Sequence, residues 1–293
     1  MIQASGYEPR GREFESLRAR HSASKLSIVT YRRYWLPEII CLVVVALIAT
    51  LPFWWSSLDL TVAGWFYHSI GRSNPWFLGD LGLWRFFFWV APWLAIVLGL
   101  TGLVTLAIGI FQRENIRLRV YGMFLFLVVI IGPGLVINAG FKDHWDRPRP
   151  RDVQAFGGEE LYVPPLKMGQ SGNSFPCGHC SVAFAWGAFY LLWRRRHPAR
   201  AGAALVASIV VGSLMGVARM VAGGHFLSDV LWSAVLTWST LLLLYWPIMR
   251  IPWREDEPER YPSSPDPRSV AFFKLTLIAL AATAGILFTF RLY

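Results

Sequence analysis

The chain has 293 residues, 55% hydrophobic and 16% charged, with 15 Trp and a formal net charge of +10; its mean hydropathy is +0.42. Composition this apolar excludes an ordinary soluble domain and points to an integral membrane protein. The basic excess is read as charge flanking membrane helices rather than a nucleic-acid surface, and three cysteines (Cys41, Cys177, Cys180) are too few for a disulfide scaffold.

Residues 1–33 carry seven Lys/Arg and no apolar core, which excludes a cleavable signal peptide. The stretch Gly6 to Arg20 reads like conceptual translation of a tRNA gene. Residues 1 to about 25 are therefore expected to be a mis-assigned N-terminus, inside a basic segment 1–35. Uncharged apolar runs predict spanning helices at about 39–55, 86–111, 120–141, 176–193, 201–218, 230–249 and 275–290. The fold class is an all-α polytopic transmembrane bundle, with six core helices in 36–249 and a seventh in 270–293. A Pro-rich, charged linker over 250–269 separates them.

Loops set the orientation. Arg32 and Arg33 precede the first helix; Arg113, Arg117 and Arg119 follow the second; Arg194, Arg195, Arg196 and Arg200 follow the fourth; Arg250, Arg254, Arg260 and Arg268 follow the sixth. These loops are assigned to the cytoplasm. The 142–175 loop is basic as well but falls on the other face, an exception that a catalytic use explains. Trp54, Trp55, Trp76, Trp84, Trp145 and Trp246 lie near helix ends and are read as an interfacial belt.

Three polar clusters interrupt the apolar runs, all on the non-cytoplasmic side. The first is Lys142-Asp-His-Trp-Asp-Arg-Pro-Arg149-Pro150, the second Pro176-Cys177-Gly178-His179, and the third Arg219 with His225 and Asp229. Ionisable groups beside hydrocarbon are costly and mark a functional site. His225 and Asp229, at i and i+4, are expected on one helix face, the carboxylate orienting the imidazole for nucleophilic or base chemistry. Gly223 and Gly224 suggest a turn that folds Arg219 back over the site. His179 at a helix start, with the backbone of Gly178, suits an anion. Lys142, Arg147 and Arg149 suit phosphate oxygens. Taken singly, each cluster also reads as structure: a capping His–Asp pair, an interfacial histidine, snorkelling cations.

Together they resemble the type-2 phosphatidic acid phosphatase family of lipid phosphatases, which share an active-site architecture with vanadium haloperoxidases. That family shows Lys, six residues, Arg-Pro; then Pro-Ser-Gly-His; then Ser-Arg, five residues, His, three residues, Asp. The match here is Lys142, Arg149-Pro150, Pro176, Gly178-His179, Arg219, His225 and Asp229, within residues 36–249. The resemblance implies a cofactor-free, metal-independent lipid phosphate hydrolase of the bacterial inner membrane, its site on the periplasmic side. In it His225 is the nucleophile, Asp229 orients it, and His179 is the general acid. Lys142, Arg149, Arg219, Cys177 and Gly178 bind phosphate. Ala218 and Cys177 depart from the family's serines, and Arg147-Pro148 is a second Arg-Pro that the spacing disfavours.

The rivals are a lipid-to-lipid phosphotransferase and a transporter or lipid-binding protein that uses the cations for recognition alone. Cys177-Gly-His-Cys180 also matches a disulfide-isomerase dithiol, but it opens an apolar helix rather than a thioredoxin-like unit. Oxidation of that pair to gate the site is a further expectation. A cysteine-nucleophile phosphatase would need arginine at 183, which is alanine. Partners are a lipid phosphate and the bilayer, not nucleic acid; candidate lipids are undecaprenyl diphosphate, phosphatidylglycerol phosphate, phosphatidate and lipid A phosphates.

Overall fold

Apolar length sets the architecture. The computed structural model describes residues 35–71, 73–112 and 116–256. Five of its helices are long and apolar enough to cross a bilayer. They are α1 (Trp35–Trp55), α3 (Gly82–Phe111), α4 (Ile116–Lys142), α7 (Pro198–Val221) and α8 (Leu227–Ile248). Each matches a run read from sequence and begins three or four residues before it, while α8 ends one residue short of its run. Shorter helices complete the bundle: α2 (Leu58–Gly64), α5 (Gly178–Ala185), α6 (Ala188–Trp193) and α9 (Ile251–Asp256).

The run read as one spanning helix over 176–193 is thus two helices with a break at 186–187. The cause is lateral packing. Gly187 lies against the Trp238 ring so closely that a Cβ would sit 2.5 Å from it, and Trp186 donates its indole N–H to the Leu94 carbonyl at 3.3 Å. Part of the expected linker is also ordered: α9 occupies 251–256, with Ile251 fully buried in the main apolar cluster. The readings for 1–34 and 257–293, including the alternative start and the C-terminal helix, lie outside the described residues.

Small residues let the helices approach. A Cβ on Gly122 of α4 would lie 2.2 Å from the Leu106 backbone nitrogen of α3, and one on Gly102 would lie 2.6 Å from the Phe126 nitrogen. In a bilayer such contacts carry much of the association energy, because hydrocarbon tails compete with any larger apolar surface. The outward faces stay apolar and exposed, as at Ile40, Val44, Trp93, Val104 and Val206.

The two ends of the bundle differ. At one end Arg194 pairs with Glu38 and its guanidinium carbon lies 4.8 Å from the Tyr245 ring centre. Trp246 donates to the same Glu38 at 2.9 Å. Trp246 is therefore a buried tie between α1 and α8 rather than a belt residue. The other end carries the connections 56–81, 143–177 and 222–226. There Trp76, 7% exposed, packs among Tyr67 and Phe156 and abuts Gly223, so it too leaves the belt.

The α3–α4 contact makes a test. Gly122→Ala should destabilise by about 1–3 kcal/mol, the usual cost of overpacking, read as a lower unfolding midpoint in detergent. Gly99→Ala on α3, with nothing within 4 Å of its Cβ, should leave the midpoint unchanged or slightly raised. Equal behaviour of the two would contradict the packing.

Candidate active site

The end with the long connections gathers the three polar clusters. Lys142 closes α4, Gly178 and His179 open α5, Arg219 lies in the last turn of α7, and Asp229 lies in the first turn of α8. Backbone hydrogen bonds tie these pieces together. Arg151 N–H donates to Gly223 O at 3.2 Å, Ser174 N–H to Arg147 O at 2.9 Å, and Cys177 N–H to Asp229 O at 3.2 Å. After Arg219 the chain turns through Gly223, whose φ of 64° suits glycine. Gly224 N–H returns to Arg219 O at 2.9 Å. The Arg219 guanidinium lies over Gly224, where a Cβ would come within 2.7 Å of Nη2. The expected fold-back is present.

His225 is not on the helix with Asp229, as the i, i+4 spacing suggested. It precedes the N-cap Phe226, and Asp229 is the third residue of α8. The two still face each other, Nδ1 to Oδ2 at 3.7 Å, with His225 only 1% exposed. Burial first, with the Arg219 charge adding to it and Asp229 opposing, holds the His225 imidazole down at about 4, so it is neutral at pH 7.

Asp229 is fully buried and heavily bonded. It accepts from Ser174 Oγ at 2.5 Å, from the Phe226 N–H at 2.8 Å, and from Arg147 Nη1. That arginine also donates to Asp59 at 2.8 Å, to Ser228 Oγ at 2.9 Å and to the Val163 carbonyl at 2.8 Å. Its guanidinium carbon lies 4.8 Å from the Phe226 ring centre. Asp59 in turn accepts from Tyr162 at 3.0 Å and from Ser228 N–H at 3.0 Å. Burial opposes charge on Arg147, but the two carboxylates outweigh it and raise its pKa above the ordinary value.

Sequence reasoning missed Asp59 and left Arg147 as a disfavoured alternative. The available signals were an acid inside the apolar stretch Leu58-Asp-Leu-Thr-Val-Ala-Gly64 and the repeated Arg-Pro.

The remaining cations behave differently. None of Lys142, Arg149 and Arg219 has a carboxylate within ion-pair distance among the described residues, and all three are half-buried. Arg149 donates only to the Asn173 side-chain oxygen, and Arg219 Nε has no partner. Arg149 is held below its ordinary pKa by burial and then by Arg151. Three neighbouring cations without counter-charge among the described residues are suited to an external anion.

His179 stacks on Phe88 of α3, ring centres 4.7 Å apart and planes 23° apart, and the Arg219 guanidinium carbon lies 5.0 Å from the same ring centre. A side chain at 178 is excluded, since a Cβ would meet Asn138 Oδ1 at 2.8 Å.

Cys177 does not fit its expected phosphate-binding part. Its sulfur is bonded to Cys180 and is fully buried. Its N–H goes to Asp229 O, and its carbonyl accepts from Ser233 Oγ at 2.8 Å. No donor is left for an anion. The oxidised pair instead staples the first turn of α5 around His179. Among the described residues no group of three or more His, Cys, Asp and Glu side chains is arranged to hold a metal ion.

The PAP2 superfamily model matches residues 121–253. A lipid A 4'-phosphatase of Francisella tularensis subsp. novicida (strain U112) is 34% identical over 198 residues, covering 64% of this chain and 87% of the relative. A lipid A 4'-phosphatase of Rhizobium leguminosarum is 33% identical over 120 residues, 40% of this chain and 48% of the relative. One of Rhizobium etli is 32% identical over 139 residues, 46% and 50% respectively. No solved structure matches the chain.

The two Arg-Pro arginines should separate on substitution. Arg147→Lys keeps one charge but cannot fork between Asp59 and Asp229, and should cost about 3–5 kcal/mol, the usual price of breaking a buried pair. Arg149→Lys, losing only an exposed bond to Asn173, should leave stability unchanged while weakening phosphate binding. Thermal unfolding of both variants in detergent decides; a wild-type midpoint for Arg147→Lys would refute the assignment.

Proposed function

The chain belongs to the PAP2 superfamily and is a membrane lipid phosphatase, and from that premise we propose that it removes a phosphomonoester from lipid A through a phosphohistidine on His225, without metal. The observation that carries this reading is the set of cations without counter-charge among the described residues, Lys142, Arg149 and Arg219. Lys142 and Arg219 lie near enough to act on the charge of the His225 imidazole, whose Nδ1 faces a buried carboxylate at 3.7 Å.

In the first step the Nε2 lone pair of His225 forms a bond to phosphorus as the bond from phosphorus to the sugar oxygen breaks. His179 gives that oxygen its proton. Water then attacks the phosphohistidine, His179 takes a proton from it, and the P–N bond breaks to release inorganic phosphate and neutral His225. Lys142, Arg149, Arg219 and the Gly178 N–H hold the equatorial oxygens, where charge spreads in the transition state. Asp229 stabilises the imidazole as positive charge develops on it.

His179 must gain its proton with the substrate. In the free protein burial, then Arg219, His225 and Lys142, hold it at about 3. A phosphate dianion between those cations reverses their field and favours the protonated ring.

Two features support a site outside the cytoplasm. Arg194, Arg195, Arg196, Arg200, Arg250 and Arg254 gather at the far end of the bundle, as the positive-inside rule expects of a cytoplasmic face. The Cys177–Cys180 disulfide beside His179 suits an oxidising compartment. Lipid A as substrate rests on the relatives' activity.

Purified protein in detergent with excess chelator should release inorganic phosphate from lipid A, in preference to phosphatidate or undecaprenyl diphosphate. His225→Ala should lose at least about 10³-fold in rate, and wild type quenched in alkaline detergent should carry base-stable phosphate that later acid treatment releases. Activity abolished by chelator, or a His225→Ala enzyme near the wild-type rate, would sink the mechanism.

Because His179 is neutral when free and protonated when an anion is bound, anion binding takes up a proton. Sulfate, which does not titrate in this range, should inhibit more strongly at pH 5.5 than at pH 8. In His179→Gln that slope should flatten; an unchanged slope would assign the proton elsewhere.

A further inference from the structure

Phe88 lies 33 residues before the matched family segment begins, yet its ring touches two groups of the site. The imidazole of His179 stacks on it at 4.7 Å, and the Arg219 guanidinium carbon lies 5.0 Å from its centre. Among the described residues His179 has no hydrogen-bond partner for its ring, so the stack is the contact that orients it. Arg219 likewise lacks a carboxylate and leaves Nε unpartnered.

The ring is itself held. The segment leading into α3 is locked against the turn after Arg219: a Cβ on Gly79 would come within 2.7 Å of Ala222, and Gly223 abuts the Trp76 ring. Next to Phe88, Phe87 packs into the cluster of Ala91, Ala183 and Met215. Phe88 itself is 40% exposed, so its ring is not needed to fill the interior.

We propose that Phe88 is a positioning residue, an aromatic plate that fixes His179 and Arg219 relative to each other and so keeps the proton donor in line with the bound phosphate's leaving oxygen. An aromatic face favours a cation near it, so the same ring helps His179 hold the proton it acquires with substrate. An aliphatic side chain supplies neither the flat surface nor the negative face. The proposal rests on the reading of His179 as general acid.

The experiment uses the full chain in detergent and two substrates. One is lipid A, whose sugar alkoxide needs protonation to leave; the other is an aryl phosphate, whose phenolate leaves unaided. Phe88→Leu should lower kcat/KM on lipid A on the order of tenfold or more, part of the range a general acid supplies, and lower it on the aryl ester about threefold or less. Phe88→Tyr should restore both rates. The alkaline limb of the lipid A pH profile should shift to lower pH in Phe88→Leu, because the acid holds its proton less well.

His179→Gln on the same pair reads the assignment beneath the proposal. If that variant loses both substrates equally, His179 is not the acid and the proposal falls with it. If it discriminates between the esters while Phe88→Leu does not, or Phe88→Tyr fails to rescue, Phe88 is packing alone and the proposal is overturned by itself.

Discussion

The site depends on one guanidinium buried between two carboxylates. Arg147 is fully enclosed, as are Asp59 and Asp229, and a buried ion group of this kind persists only when its lone pairs and protons are all satisfied. Here Tyr162, Ser174, Ser228 and two backbone N–H groups supply the remaining bonds. The count of charges is the useful part. Two carboxylates and one guanidinium leave a formal charge of −2 + 1 = −1 inside the protein, and the edge of Asp229 that Arg147 does not hold faces His225. A residual negative charge in a low-dielectric pocket favours a positive charge on the neighbouring imidazole, as the proposed mechanism requires. The network thus links α2, the 143–177 connection and α8 while setting the electrostatics of the histidine.

The second constraint is the alternation in Arg147-Pro-Arg149-Pro. Proline fixes its own φ and pushes the residue before it to extended backbone, and Arg149 has φ −81° and ψ 158°. In extended chain successive odd positions share a face only when the backbone is flat. Here a positive φ at Asp146 and the 3₁₀ turn Pro150–Asp152 bend both flanks. Arg147 enters the interior and Arg149 stays at the rim. Two arginines that each precede a proline take opposite parts, one satisfied by carboxylates and one bonded to Asn173 alone among the described residues.

The bundle's two ends show the same division. Arg194 is paired with Glu38 and packed on aromatic rings, so it ties helices together. Arg219, at the other end of the next helix, has an aromatic ring and, among the described residues, no acid within ion-pair distance. The pairing state, more than the residue type, separates structural cations from those to which substrate binding is here proposed.

The membrane class, the five long helices and the clustering of Lys142, His179, Arg219, His225 and Asp229 were legible in the chain itself, because apolar length and ionisable groups within it are local properties. Helix ends, the break at 186–187 and the exclusion of His225 from α8 were not, since they follow from caps and from contacts between helices. Asp59 and Phe88 come from the first third of the chain and reach the site only through packing, so no spacing announces them. Cys177 was misjudged for the same reason: a donor is a donor only if nothing else has taken its hydrogen. The sequence by itself determined which chemical groups are present and that they lie beside helices long enough to cross a membrane. Only the tertiary structure decided which cations already had partners, because charge compensation is a matter of distance between residues far apart along the chain.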